Sequence, residues 1–197
     1  MSQLNVDALR NSSGTGAGID LQSSGNIAFD TNTLYVDSTN DRVGINNAAP
    51  AFSFDITGTE GINFNTSPLM DKVNIVSGSA ENYTNIDLLT AGTWVFTSAV
   101  NGNWTPNFRG NSSTSLSSLM SVGQSAVFTI ITPVDGGSGY SSNMNIDGSG
   151  QTEYWSNALT PSASGGTSGY DIYQYSVIRT STSSTGYLVF ASQTHLE

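Results

Sequence analysis

An all-β fold is predicted for this chain of 197 residues by three features of its sequence. Apolar residues recur with a period of two, the spacing of side chains on one face of a strand. The intervals between them are rich in Gly, Ser, Asn and Pro, the residues of tight turns. No window has the i, i+3, i+4, i+7 recurrence of an amphipathic helix. The expected architecture is a stem of short strands followed by an antiparallel β-sandwich, jelly-roll-like in its strand count. The divisions are an N-terminal arm over 1–17, the stem over 18–66 and the head over 67–197.

The arm contains one alternating group, Leu4, Val6, Ala8 and Leu9, followed by a Gly/Ser-rich stretch. It reads either as a mobile terminus or as a strand that attaches the chain to another protein by sheet-edge addition. From Gly18 onward apolar pairs start about every eight residues. They are Ile19/Leu21, Ile27/Phe29, Leu34/Val36, Val43/Ile45, Phe52/Phe54 with Ile56, and Ile62/Phe64. Each such strand offers only two or three core side chains, too few to offset the entropy of ordering the segment alone. Another surface is needed to cover them, either the C-terminal half of the same chain in a monomeric β-domain or further copies of the segment around a threefold stem.

Pro68 stops strand pairing and marks a boundary at 66–68. Beyond it the alternating or β-branched runs lengthen: 72–76, 83–89, 93–100, 126–132, 171–179 and 187–191, with short candidates at 143–147 and 152–155. Residues 116–122 have the spacing of one helical turn, too short to carry weight.

The order LeuTyrValAsp at 34–37, ArgValGlyIle at 42–45, Pro50 and ThrGly at 57–58 resembles a repeat of bacteriophage tail fibres and other phage appendage proteins. Asn46 and Asn47 stand where that repeat usually has Gly and Thr, and Phe54 where Leu is commoner. The resemblance implies a homotrimeric, intertwined β-shaft in which Leu34, Val36, Val43, Ile45, Phe52 and Phe54 face a threefold axis.

A second resemblance, to the C-terminal domain of structural proteins of marine and cyanobacterial phages, rests on residues 118–131, 146–149, Trp155, 171–179 and 189–194. There Glu153 and Tyr154 replace a Val–Lys-like pair, and ValPheAlaSerGlnThr replaces a Val-Leu-Ala-Ser-x-Thr ending. The opening LeuAsnValAspAlaLeu resembles the start of many marine-phage structural proteins. Together these imply a virion component, held to other virion proteins by its N-terminus.

Composition narrows the functional classes. Hydrophobic residues are 37% and charged residues only 10%, so solubility rests on hydroxyls and amides, as in extracellular or virion β-proteins. A net charge of −10 with five basic residues argues against nucleic acid and anionic lipid as partners. With no cysteine there is neither a disulfide nor a thiolate ligand or nucleophile. The sequence shows no apolar run of membrane-spanning length and no signal-peptide core in MSQLNVDALRNSSGTG, so membrane insertion and signal-directed export are not expected. A particle assembled in a host cytoplasm and released by lysis fits that combination.

Candidate chemistry is sparse. His195, the single histidine, stands near the terminus and reads as a surface residue. Glu60, Glu81, Glu153 and Glu197 are scattered, and Asp37, Asp41 and Asp147 sit in turn contexts, so no carboxylate pair for glycoside hydrolysis is apparent. The loops 37–41 and 147–153 are imperfect as calcium ligands. No enzyme activity, metal or cofactor is expected. Trp104, Tyr140, Tyr154, Trp155 and Tyr170, all near Gly, Ser or Asn, are the candidate platforms for a host-surface glycan, whereas Trp94 reads as core. The reading is a trimeric short fibre or spike that presents a head for adhesion. A capsid-attached head fibre or decoration protein, and a stand-alone lectin-like module, fit the same residues.

Overall fold

A computed structural model of the chain describes residues 8–9, 19–21, 23, 25–29, 33–57, 70–135, 139–156, 161 and 168–196. The chain divides into two compact units, Met1–Pro68 and Leu69–Glu197, beside the boundary read at Pro68. Both are built of strands, so the protein is all-β. The expected strand at Ile62 and Phe64 lies outside the described residues, as does most of the arm.

The first unit is one six-stranded sheet whose strands lie in chain order: β1 (Ala8–Leu9), β2 (Ile19–Leu21), β3 (Ile27–Phe29), β4 (Leu34–Asp37), β5 (Arg42–Ile45) and β6 (Phe54–Ile56). β1 pairs with β2, so part of the arm belongs to this sheet. Neighbours from β1 to β5 are antiparallel, and β6 joins β5 in parallel.

The β4–β5 turn is written in its side chains. Asp37 Oδ1 accepts from the backbone N–H groups of Thr39 and Asn40 at 3.0 and 3.2 Å, an Asx turn. The side-chain amide of Asn40 donates to Asp37 Oδ2 at 2.8 Å and, as the largest influence, holds the Asp37 carboxyl below the usual carboxylate range. The next connection returns the chain to β6, with Pro50 buried and its carbonyl accepting from the Arg42 guanidinium at 2.8 Å. Asn46 takes a left-handed φ of +53° there, a conformation Asn tolerates. Gly44 is fixed by contact: a Cβ on it would lie 2.0 Å from the Asn47 carbonyl oxygen. Phe52 therefore sits in a connection, before β6 begins at Phe54.

The described residues of the second unit form two sheets. β7 (Val73–Val76), β9 (Thr93–Phe96), β11 (Ser125–Pro133), β14 (Glu153–Trp155), β15 (Tyr170–Arg179) and β16 (Tyr187–Leu196) form the larger, in the order β14-β16-β15-β11-β9-β7. β8 (Asn85–Asp87), β10 (Asn107–Arg109), β12 (Asn145–Ile146) and β13 (Ser149–Gly150) form the smaller, in the order β13-β12-β10-β8.

The sandwich is not the wholly antiparallel one expected. β7/β9, β9/β11, β14/β16, β8/β10 and β10/β12 are parallel, whereas β11/β15, β15/β16 and β12/β13 are antiparallel. From β7 to β12 the chain alternates between the two sheets, so two strands that neighbour each other in one layer are separated by a strand in the other. Each returns to its layer in the same direction, and parallel pairing follows.

The facing surfaces make the core. Phe108 of β10 lies 4.3 Å from Phe128 and 5.0 Å from Tyr175, ring centre to ring centre, and all three are fully buried. Trp94 is buried with its indole N–H donated to the Ala91 carbonyl at 2.9 Å, as its place in a strand suggested. The turn at 116–122 matters more than its length implied. It forms α1 (Leu116–Leu119), whose Leu116 is fully buried. Asp147 Oδ1 and Oδ2 accept from the first backbone N–H groups of α1 at 2.7 and 2.9 Å, and the Arg179 guanidinium donates to the Ser117 and Met120 carbonyls at its other end.

Candidate functional site

In the first unit, register places the apolar side chains of five strands on one face in two rows. Ile19, Phe29, Leu34, Ile45 and Ile56 oppose one another in turn, as do Ile27, Val36, Val43 and Phe54. Directly opposed residues share a face. Four of the six expected stem residues, Leu34, Val36, Val43 and Ile45, are thereby brought together with Phe54, while Phe52 stands outside the strand. Within a single chain this face is not closed: Phe54 is 59% exposed, Phe52 48%, and the other four are half-buried.

The opposite face, by contrast, is covered. Tyr35, Asp37, Gly44 and Asn26 are buried there, and the Asn26 side-chain amide donates to the Tyr35 hydroxyl at 2.6 Å. The alternation read in the sequence is correct, but the side buried by a single copy is the polar one.

The five aromatic candidates of the head do not converge. Trp104 is core, 4% exposed, with Tyr173 edge-on at 5.4 Å. Trp155 faces inward against Tyr175, and Tyr140 packs on the same core. Only Tyr154 and Tyr170 are exposed among the five, both on the outer face of the larger sheet. Their partners on β16 are Phe190 and Leu196, six residues apart and so about 20 Å along the strand. Burial removes Trp104 as a contact, whereas Tyr154 and Tyr170 stay exposed but too far apart to form one platform.

What the smaller sheet presents outward is polar instead. The parallel register sets Asn85, Asn107 and Asn145 side by side and Asp87 beside Arg109. The Asn107 amide donates to Asn85 Oδ1 at 2.9 Å and its carbonyl oxygen accepts from the Gly148 N–H at 2.7 Å. Arg109 Nε donates to Asp87 Oδ1 at 2.6 Å. Beside this row lies an open cleft of about 380 Å³ lined by Asn107, Arg109, Asn111, Thr114, Asp147 and neighbouring Ser and Gly residues. Amides, hydroxyls and a paired guanidinium are the groups that hydrogen-bond sugar hydroxyls.

No family model, curated protein or solved structure matches the chain. Site and function therefore rest on the chain's own residues.

His195 is not the fraying surface residue the sequence suggested. β16 continues through it, and its Nδ1 lies 2.9 Å from Oδ1 of Asp171, which is 2% exposed. The other carboxylate oxygen accepts from the Gln193 amide at 2.8 Å and the Tyr173 hydroxyl at 3.1 Å. Burial, first, and the neighbouring Asp171 charge push the Tyr173 hydroxyl pKa up, so it stays a donor at any physiological pH. The arrangement ties β15 to β16. Among the described residues no group of three or more His, Asp or Glu side chains is placed to hold a metal ion, and Asp37 and Asp147 are spent on turn and helix-end N–H groups. No described helix is long and apolar enough to cross a membrane.

Sequence reasoning missed the asparagine row and the Asp171 group. The first lies on three strands whose neighbours are set by crossovers, and nothing local announces it. The second had one legible sign: an Asp inside the apolar run 170–179 must be either outward-facing or partnered.

Proposed function

We propose that this chain is a non-enzymatic virion component of a bacteriophage, a homotrimeric short fibre. In this reading the N-terminal residues join it to other virion proteins, the stem sheets of three copies close on one another, and the head meets a host-surface glycan. The carrying observation is the pair of apolar rows on the stem sheet, with Phe54 and Ile56 exposed at one end of them in a single chain. Apolar area of this kind is stabilised by about 25 cal/mol for each Å² removed from water. Three copies around one axis remove it without any additional protein. The polar cleft beside Asn107 and Arg109 supplies hydroxyl-binding groups, and threefold presentation multiplies weak contacts by avidity.

The test is a glycan array probed with the labelled wild-type chain and with Val43→Asp, which breaks the apolar row and leaves the sequence of the head unchanged. The expected result is glycan binding by the wild type and a loss of about 100-fold or more in apparent affinity for the variant. Equal binding by both would refute the trimeric adhesive reading. Binding of no glycan by a trimeric wild type would leave the capsid-decoration role in its place.

A further inference from the structure

The outer face of the six-stranded head sheet carries no charge. Alternation from the buried positions assigns to it Val73, Ile75, Thr93 and Val95 from β7 and β9, and Ser125, Val127, Thr129, Ile131 and Pro133 from β11. Across β15 and β16 it continues with alternate residues from Tyr170 to Ile178 and from Leu188 to Leu196, and it ends with Tyr154 on β14. Not one of these is Asp, Glu, Lys or Arg, in a chain of net charge −10. Asp71 and Lys72 stand only at its rim, beside a cleft whose floor is Thr93, Val127, Thr129 and Gln174.

The exposure on this face is concentrated in large apolar side chains. Val73, Ile75, Val127, Tyr154, Tyr170, Phe190 and Leu196 are between 44% and 71% exposed, and they are all of the exposed large hydrophobic residues on the described strands of the head. The smaller sheet, by contrast, turns Asn85, Asp87, Asn107 and Arg109 outward. A sheet face kept in water ordinarily carries charged and polar residues. Here only uncharged Ser, Thr and Gln interrupt the exposed apolar side chains.

We infer that this face of the head packs against the same face of its sister copies. The inference rests on the trimer reading of the stem. Three observations favour sister copies as the occupant. A face without charge can meet its own copies without bringing like charges together, whereas a complementary foreign partner is ordinarily met with charge as well. Its extent suits a shared contact: nine- or ten-residue strands are about 30 Å long and lie about 4.8 Å apart, so β11, β15 and β16 with the shorter strands present on the order of 600 Å² in plane. Pleated side chains over such a plane approach the roughly 800 Å² that one partner buries in a standard interface, here divided between two neighbours that the stem already joins. Finally, copies joined through the stem hold their heads at millimolar effective concentration, so that even a modest apolar face closes. With that face covered, the surface left to a soluble ligand is the asparagine-bearing sheet and its cleft.

The absence of cysteine from the chain makes the test direct. Full-length Val127→Cys, on the face, and Asn85→Cys, on the opposite sheet, are labelled with a maleimide under native conditions. Their masses are measured by light scattering. The expected result is a trimeric mass for both and labelling of Val127→Cys at least tenfold slower than Asn85→Cys. Adding Ile75→Lys to Val127→Cys places a charge on each face and is expected to restore fast labelling while the stem keeps the mass trimeric. Equal labelling rates in a trimer would overturn this inference alone. Equal rates in a chain of monomeric mass would overturn it together with the stem reading. Slow labelling that Ile75→Lys does not relieve would place the protection within one copy and also overturn it.

Discussion

Val43→Asp is the sharpest perturbation of the stem. Val43 stands between Val36 and Phe54 in the shorter apolar row and is half-buried in one copy. Its neighbour Arg42 cannot rescue a carboxylate there, because alternation turns it to the other face, where it donates to the Pro50 carbonyl. In a lone chain Val43 is already partly exposed, so the new carboxylate reaches water and costs little. Around a threefold axis three of them meet. At about 7 Å separation and an effective dielectric constant of about 20, each pair repels by about 2 kcal/mol and the three pairs by about 7 kcal/mol. Loss of the remaining valine burial adds about 1 kcal/mol per copy. The total, about 10 kcal/mol, is comparable with the whole binding energy of a complex with a dissociation constant between micromolar and nanomolar. Light scattering at neutral pH should therefore give a single-chain mass for the variant. At about pH 3, where the introduced carboxyls are neutral, part of the assembly should return. Val43→Ala, which removes apolar area without charge, should remain assembled. A Val43→Asp chain that keeps its oligomeric mass at neutral pH would refute the reasoning.

Gly44→Ala puts a methyl group 2.0 Å from the Asn47 carbonyl; a loss of about 1–3 kcal/mol confined to residues 33–57 is expected, read by hydrogen exchange. Asp171→Ala removes the buried carboxylate that accepts from Tyr173 and Gln193 and faces the His195 ring, so a loss of about 3 kcal/mol in head stability by denaturant unfolding is expected, with a smaller one for His195→Ala. Burial raises the Glu153 carboxyl pKa against the pull of the backbone N–H groups of Glu153 and Met144, and one of its oxygens has no partner. Below the ordinary carboxylate range the group is neutral in both states and costs nothing. As pH rises past the unfolded-state value the unfolded chain ionises first, and stability falls until the folded carboxyl has ionised too. Glu153→Gln should thus raise the melting temperature at pH 7 and leave it nearly unchanged at pH 3.5, as calorimetry can check.

The strands of the stem could be read from the sequence because a period of two fixes which residues share a face, and register then follows from turns such as 37–41, where Asp37 holds the backbone. Strand direction could not. Whether β6 joins β5 in parallel, or β10 joins β8, depends on where the chain crosses, and periodicity carries nothing about crossings. β10 itself was missed because Asn107–Arg109 offers one apolar residue, Phe108, between two polar ones. That single ring is nevertheless at the centre of the core. Trp104 was misread for the opposite reason. Gly102, Asn103 and Pro106 gave it a loop context, but the bridge between Trp104 and Ser141 carries the segment into the core, beneath Tyr173. His195 looked terminal because the apolar run weakens after Ala191. The pairing with β15 extends five residues further, held by the buried Asp171.

The central claim is that the two apolar rows of the stem sheet are covered by sister copies. Light scattering of the full-length wild-type chain in dilute solution addresses it most directly. A mass three times the 20.6 kDa of one chain is predicted. A mass of one chain, unchanged as concentration rises, would contradict it.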